Sequence, residues 1–366
     1  MRTLTWDPEK KILQLIDQRV LPARLEMVEC RDSNGVVDAI RLMIVRGAPA
    51  IGVAAAFGMA LAGWNYPTDD PDTLRTIVQQ AGDLLRKTRP TAINLNWAIG
   101  RMLDVMDFPG LTADKLRHRL EAEAIRMAEE DVEINCRMAE FGASLIEDGD
   151  VILHHCNTGS LAAVDWGTAL GAIRLAHKQG KRLHVLVDET RPRLQGSRLT
   201  AWELTQYGIS FDIIVDGAAG YFLQRGDVQK VMFGADRVAA NGDVANKIGT
   251  YMLALAAEAN RVPVICVAPS SSIDLQIPDG SYIPIEERDP SEVLDLEKNG
   301  EPVVPRGAPA RNPAFDITPH QLISAIVTEF GITRSPYDQT LAKALGNQCL
   351  SNNPARHSGE QENPIQ

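Results

Sequence analysis

The chain has 366 residues, of which 45% are hydrophobic, so it is long enough to bury two cores and we expect two domains. Its 37 basic and 48 acidic residues give a net charge of −11, which argues against a nucleic-acid partner but leaves an anionic small molecule open. Five scattered cysteines without a C-x-x-C pair, no signal-peptide core and no uninterrupted apolar span of about 20 residues argue against a disulfide framework, a structural zinc site and a membrane association, and favour a cytoplasmic protein.

The first part of the chain predicts short strands followed by helices. Strands separated by polar and proline-containing turns are expected over 4–6, 12–16 and 24–28. Helical spacing begins near residue 36, and the run 51–63, which is apolar nearly all round, predicts a buried helix. Further helices are expected over 72–87, 91–106 and, long enough to link two domains, 112–146.

After residue 148 short apolar runs alternate with amphipathic stretches of helical length. The apolar runs are 151–155, 183–188, 211–216, 230–236 and 262–268. This alternation predicts an α/β fold with a Rossmann-like, doubly wound parallel sheet. We therefore divide the chain into a smaller, mainly helical α+β domain (1–147), a Rossmann-like catalytic domain (148–340) and a polar, disordered tail (341–366).

Two catalytic candidates follow strands of this sheet, where ligands of such folds bind. Most free cysteines are small buried hydrophobes, but Cys156 lies between His155 and Asn157 at a predicted strand-to-helix turn. A helix start and a nearby cation there would lower the pKa of its thiol. Asp236 could cap a helix, but at the mouth of an apolar strand burial would raise the pKa of its carboxyl and make it a general acid.

Three basic residues are candidates for holding an anion. Lys247, with Asn246, is placed at the predicted start of an apolar helix over 251–259, whose amides would add to its charge. Arg46 and Arg89 each precede a proline near a helix start, as a phosphate-binding guanidinium would. Taken singly, each of the three could also be a solvated surface residue. No carboxylate–histidine pattern suggests a metal, and of the paired histidines His155 is the one that could tune the neighbouring thiol.

Several segments resemble the 5-methylthioribose-1-phosphate isomerases of methionine salvage, a family within the initiation-factor-2B alpha/beta/delta-like superfamily. The matching segments occur in order over most of residues 40–320 and read VRGAPAIGVAAAFGMAL, TRPTAINLNWAI, HHCNTGSLA, VDETRPRLQGSRLTAWEL, VMFGADRVAANGDVANKIGTY and NPAFDITP. The resemblance implies a homodimer, a sugar-phosphate substrate, no cofactor, and Cys156 and Asp236 as the catalytic pair. It also implies substrate contacts from Arg46, Gly47, Ala48, Arg89, Gln195, Asn246 and Lys247.

The implied reaction is the conversion of 5-methylthioribose 1-phosphate to 5-methylthioribulose 1-phosphate. The anomeric phosphate blocks ordinary ring opening, so an acid, for which Asp236 is the candidate, must protonate the ring oxygen. Hydrogen then moves from C2 to C1, with Cys156 as a base or as a group that stabilises charge; the sequence does not choose. The rival substrates are 5-deoxyribose 1-phosphate and ribose 1,5-bisphosphate, the latter disfavoured because no extra basic cluster is apparent. A non-catalytic regulatory binding protein of the same fold is the remaining alternative.

Overall fold

The first part of the chain forms a three-stranded antiparallel sheet and five helices, in a computed structural model that describes residues 1–89 and 92–346. The elements are β1 Leu4–Asp7, β2 Ile12–Ile16, β3 Met27–Cys30, α1 Ser33–Arg41, α2 Ala48–Asn65, α3 Pro71–Arg86, α4 Ile93–Asp104 and α5 Ala113–Ala143. Only β3 departs clearly from expectation, starting at Met27 because residues 20–23 form a turn and Met27 is the first residue to pair, opposite Ile16.

Helix α2 is the centre of this part. It packs against α1, α3, α4 and α5, and most of its side chains are buried, as its uniformly apolar sequence predicts. By length and composition it is apolar enough to cross a bilayer, but 72% of it is buried inside the fold, as expected of a core helix. Helix α5 has 31 residues, and Thr112 caps its start by accepting a hydrogen bond from the amide of Lys115.

The second part alternates strands and helices, as expected. Its elements are β4 Val151–His154, α6 Ala169–Lys178, β5 His184–Asp188, α7 Ala201–Tyr207, β6 Ser210–Ile214, α8 Ala219–Arg225, β7 Lys230–Phe233, β8 Arg237–Ala239, β9 Val244–Lys247, α9 Thr250–Ala259, β10 Val264–Val267, β11 Ile273–Asp274, α10 Ser291–Leu294, β12 Glu297–Lys298, β13 Glu301–Pro302, β14 Phe315–Thr318, β15 Ala325–Thr328, β16 Gly331–Thr333 and α11 Tyr337–Gly346. Helix α5 packs against both α2 and α6 and thus links the two parts.

Seven strands form the main sheet, in the order β16-β15-β10-β7-β4-β5-β6. All neighbours are parallel except β15 and β16, which confirms the doubly wound α/β fold. The chain runs from β4 outward to β5 and β6, and then returns to β7 and continues outward to β10 and β15. The direction therefore reverses between β4 and β7, and a crevice at the carboxyl ends of these two strands is expected.

A second sheet of four short strands, in the order β11-β8-β9-β14, was not predicted. It corrects one expectation: Asn246 and Lys247 lie on β9, paired with β14, and not at the start of a helix, which begins at Thr250.

The predicted tail also begins too early. Helix α11 continues to Gly346, because Tyr337 and Leu341 are buried and anchor it, so residues 341–346 are helical. Residues 347–366, the rest of the predicted tail, lie outside the described residues.

Candidate active site

A cleft opens at the switch point between β4 and β7. Cys156 follows β4 by two residues and Asp236 follows β7 by three, so the sheet topology itself brings the two catalytic candidates to one place. The cleft is lined by all nine residues that the sequence singled out: Arg46, Gly47, Ala48, Arg89, Cys156, Gln195, Asp236, Asn246 and Lys247.

The turn at Cys156 has an unusual backbone. Cys156 has φ of +66°, a left-handed conformation that costs energy for a residue with a side chain and is typical of functional sites. Two threonine side chains hold this conformation: the amide of Cys156 donates to Thr190 Oγ1 at 2.9 Å, and its carbonyl accepts from Thr200 Oγ1 at 2.7 Å. The backbone of Cys156 is therefore fixed by hydrogen bonds on both sides of its α-carbon.

The Cys156 thiol has a raised pKa, contrary to the prediction of a lowered one. Burial raises the pKa and outweighs the charges of Lys247 and Arg46, which lower it. In addition, no α-helix starts at this turn; the next element is a single 3-10 turn at Ser160–Ala162, so a helix dipole is missing. Burial of Cys156 therefore favours the neutral thiol over the thiolate. Of the described cysteines, Cys30, Cys136, Cys156 and Cys266 are all free.

Asp236 has a raised pKa, as predicted. Burial raises it and outweighs the attraction of Lys247 and Arg89 for the carboxylate. The alternative role as a helix cap does not apply, because strand β8 begins at the next residue and the amide of Asp236 donates to Ala245 O at 2.9 Å. Asp236 is thus a carboxyl whose protonated form is favoured, inside a cleft that is otherwise basic.

Arg46 enters the cleft from the first part of the chain. Its Nε donates to Gln18 Oε1 and its Nη1 to Asn157 O, both at 3.0 Å, while its buried Nη2 has no hydrogen-bond partner among the described residues. Gly47 has φ of +93°, and a Cβ there would lie 2.4 Å from backbone atoms of Ala162. Only glycine permits this close approach, so the Arg46–Gly47 backbone sits directly on the loop that follows Cys156.

Lys247 is buried beside the cleft with its Nζ 2.8 Å from Ala314 O and 4.6 Å from the ring centre of Phe315. Burial and the neighbouring Arg288 lower its pKa to about 8. The expected help from helix amides is absent, because the amides at the start of α9 (Gly249 and Tyr251) already donate to the carboxylate of Asp316. An anion must therefore rely on the basic side chains.

Arg288 is a cleft residue that the sequence did not reveal. Its Nε donates to Glu286 Oε1 at 3.3 Å, and Arg89 Nη2 lies 3.6 Å from the other oxygen of that carboxylate, so the two guanidinium groups share one counter-ion. Arg288 lies in a loop that does not follow any of the predicted strands. No motif or spacing in the sequence around it indicates a binding site. Pro90 and Thr91, the remainder of the predicted motif at Arg89, lie outside the described residues.

Gln195 and Asn246 add amide groups to the cleft wall. Gln195 precedes a single π-helical turn over Gly196–Thr200, and its buried Oε1 has no partner among the described residues. π-Helical turns occur often at functional sites. Asn246 donates through Nδ2 to Thr250 Oγ1 at 3.0 Å, which leaves its side-chain oxygen to accept a further hydrogen bond.

A carboxylate–histidine group lies directly behind Cys156, although the sequence showed no such pattern. Among the described residues His155, Asp188 and Asp216 are close enough to hold a metal ion, with their ligand atoms within 4.8 Å of one another. Most of their atoms are already hydrogen-bonded: His155 Nδ1 to Asp188 Oδ2, and both oxygens of Asp216 to backbone amides. The exception is the buried Oδ1 of Asp188, which has no hydrogen-bond partner among the described residues. The three residues lie at or just after the ends of β4, β5 and β6, which are distant in sequence, so no local pattern indicates the group.

Known proteins resemble this chain over most of its length. The sequence profile of the Initiation factor 2 subunit family matches residues 44–335. Methylthioribose-1-phosphate isomerase 2 of Pseudothermotoga lettingae is 50% identical over 342 residues, 93% of this chain and 97% of that protein. A solved structure of 5-methylthioribose 1-phosphate isomerase from Pyrococcus horikoshii matches with a TM-score of 0.86 and 41% identity, covering 94% of this chain and 96% of that one. Another, described as translation initiation factor eIF-2B, subunit delta, from A. fulgidus, matches with a TM-score of 0.83 and 42% identity, covering 94% and 99%.

Proposed function

The chain belongs to the Initiation factor 2 subunit family, and on that basis we propose that it is an aldose–ketose isomerase converting 5-methylthioribose 1-phosphate to 5-methylthioribulose 1-phosphate in methionine salvage. The observation that carries the proposal is the pairing of Cys156 and Asp236 in one basic cleft at the sheet's switch point. A non-catalytic regulatory protein of the same fold has no need of a thiol and a proton-donating carboxyl in such a cleft.

The basic groups of the cleft would bind the phosphate. Arg46 supplies an unpartnered Nη2, and Arg89, Lys247 and Arg288 add further positive charge. These four groups face one cleft in a chain whose net charge is −11, so the local field differs in sign from the overall charge.

Asp236 would open the sugar ring. Its raised pKa favours a proton on the carboxyl that can pass to the ring oxygen. Breaking the bond between C1 and the ring oxygen leaves C1 as an electron-poor carbon that is still bonded to the phosphate oxygen and can accept hydrogen from C2. Cys156 would then act at C2, as a base that takes the C2 proton or as a group that stabilises charge during a hydride shift from C2 to C1. Burial of both side chains excludes water from either route.

The part of the cleft next to Asp236 suits the methylthio group. A contiguous pocket is lined mainly by apolar residues, among them Ile51, Ala92, Ile283, Pro284 and Phe315, and also by Arg89, Asp236 and Arg237. Arg237 is already paired with Asp274, and Arg89 would bind the C1 phosphate. The apolar walls therefore favour a neutral thioether over the second phosphate of ribose 1,5-bisphosphate, which would lose hydration without gaining enough partners.

The homodimer, the cytoplasmic location and the domain boundary at residues 147 and 148 are parts of the same proposal. One surface supports the dimer: α8 packs against α9, and together they expose Tyr221, Tyr251, Met252 and Leu255, an unusual number of large apolar side chains for one face. A Met252→Asp variant would be expected to sediment as a monomer if this face is the contact.

Incubation of the purified protein with 5-methylthioribose 1-phosphate, with ketose formation followed over time, tests the function. Cys156→Ala and Asp236→Asn should lose nearly all activity, whereas Cys136→Ala, which removes a free thiol far from the cleft, should retain it. Turnover of 5-deoxyribose 1-phosphate or ribose 1,5-bisphosphate in place of this sugar would overturn the substrate. Failure to convert any of the three would favour the regulatory role.

A further inference from the structure

His155 lies directly before Cys156, is only 1% exposed, and faces a hydrogen-bond acceptor on each side of its ring. Its Nδ1 is 2.8 Å from Asp188 Oδ2 and its Nε2 is 3.0 Å from the carbonyl oxygen of Ile248. A neutral imidazole can donate from only one nitrogen, so with Asp188 ionised both contacts are satisfied only when the ring carries two protons. Burial opposes that charge, but the hydrogen bond and charge of Asp188 outweigh it and raise the pKa of His155.

The two acceptors belong to two different walls of the cleft. Asp188 is the last residue of β5, and its carbonyl accepts a hydrogen bond from Thr190 Oγ1. Thr190 Oγ1 in turn accepts a hydrogen bond from the amide of Cys156. Ile248 directly follows Lys247 at the end of β9. Strand β4, which leads to Cys156, and strand β9, which leads to Lys247, belong to different sheets, so no strand pairing holds these residues at a fixed separation.

The surroundings of the ring are built for this contact. Gly249 has φ of +104°, and a Cβ there would lie 3.0 Å from His155 Cε1, so its missing side chain leaves room for the imidazole. Asp216 binds the amides of Thr190 and Arg191 on one side, and Asp316 binds the amides of Gly249 and Tyr251 on the other. Asp216 thus holds the turn at Thr190, and Asp316 holds the turn that follows Lys247. The His155 ring connects these two turns through its two hydrogen bonds.

We propose that His155 is a positioning residue that sets the distance between the Cys156 turn and the Lys247 turn by bridging Asp188 and the carbonyl of Ile248. Its loss would displace Lys247 from both the substrate phosphate and the Cys156 thiol. The activity measurement below rests on the proposed isomerase function, but the thiol measurement does not.

Two substitutions separate the two contacts. The amide nitrogen of Asn occupies roughly the place of Nδ1, so His155→Asn keeps the link to Asp188 and loses the link to Ile248. The amide nitrogen of Gln lies near the place of Nε2, so His155→Gln keeps the link to Ile248. We expect His155→Asn to raise KM about tenfold and His155→Gln to stay within about threefold of wild type.

The second measurement is the rate at which iodoacetamide alkylates Cys156, followed by mass spectrometry of the peptide that contains it. Because the charge of Lys247 lowers the pKa of this thiol, His155→Asn should alkylate more slowly than wild type, and His155→Gln at nearly the wild-type rate. His154→Gln is the matched control, since His154 is the buried last residue of β4 and its Nε2 lies 3.3 Å from Thr158 Oγ1, with no hydrogen bond to the Lys247 turn among the described residues. This variant should lower the melting temperature and leave KM within about threefold of wild type.

The outcomes separate the proposals. If both His155 variants fold and behave alike in the two measurements, the bridge does not position Lys247 and the inference is wrong. If the wild type converts no sugar phosphate, but His155→Asn is still alkylated more slowly than wild type and His155→Gln is not, the inference stands and the isomerase function fails.

Discussion

Lys247 should impose an alkaline limit on activity. Burial and Arg288 lower its pKa to about 8, although Cys156 and Asp236 act in the opposite direction. A lysine is positively charged below its pKa and neutral above it, so the cleft loses one positive charge as the pH rises through about 8. Substrate phosphate is fully ionised throughout this range, and its attraction to the cleft should weaken accordingly.

The size of the effect follows from the titration. With a pKa of about 8, Lys247 is roughly 90% charged at pH 7 and roughly 10% charged at pH 9. If the charged form alone supports binding, kcat/KM should be level around pH 7 and fall about tenfold per pH unit well above pH 8. The pH profile of kcat/KM reports the ionisation of groups in the free protein, so the titration of Lys247 should appear in it.

The assay is kcat/KM from pH 6 to pH 10 at constant ionic strength. Lys247→Arg should abolish the fall in kcat/KM near pH 8, because a guanidinium keeps its charge to a much higher pH. Lys230→Arg is the matched control, since Lys230 is a half-buried lysine that pairs with Asp150 at 2.6 Å and does not line the cleft. If kcat/KM of Lys247→Arg still falls near pH 8, the reasoning is refuted and another group is responsible for the titration.

Three further predictions concern single side chains. Asp236→Asn should lower kcat by about 10²–10⁴-fold with little change in KM, measured by steady-state kinetics; a change confined to KM would contradict the acid role. Arg288→Ala should raise KM about tenfold, whereas Arg311→Ala, an arginine that is exposed and bonded only to Glu287, should not; equal KM values in the two variants would remove Arg288 from the site. Burial raises the pKa of Asp131 to about 7, so the folded state binds more protons than the unfolded state between about pH 4 and pH 7, and stability falls as the pH rises through that window. Asp131→Asn should therefore raise the free energy of unfolding by roughly 2–4 kcal/mol at pH 8 and by less at pH 5, measured by urea denaturation; an equal gain at both pH values would contradict the titration.

The strands that lead to Cys156 and Asp236 could be predicted because each is a short, continuous apolar run followed by polar residues. That pattern depends only on local sequence, and the parallel order then places both residues at one edge. The same reasoning correctly predicted a raised pKa for Asp236. It failed for Cys156, because its sequence neighbours indicate which charges are nearby but not how deeply the thiol is buried.

The second sheet could not be predicted for a different reason. Strands β8 and β9 have three and four residues, and β9 pairs with β14, which lies about 70 positions further along the chain. Such pairing leaves little periodicity in the local sequence, so Lys247 was placed at a helix start. The role of Asp316 at that helix start was hidden for the same reason, since its position depends on the register between β9 and β14.

The contact between Gly47 and Ala162 has a consequence for the nascent chain. During synthesis Arg46 and Arg89 leave the ribosome well before Cys156, Asp236 and Lys247, so a partly made chain presents two of the four cleft cations without the wall that completes the binding site. A sugar phosphate that needs groups from both parts stabilises only the chain in which Gly47 already rests on Ala162. Metabolite supply would therefore protect finished molecules from unfolding without rescuing unfinished ones.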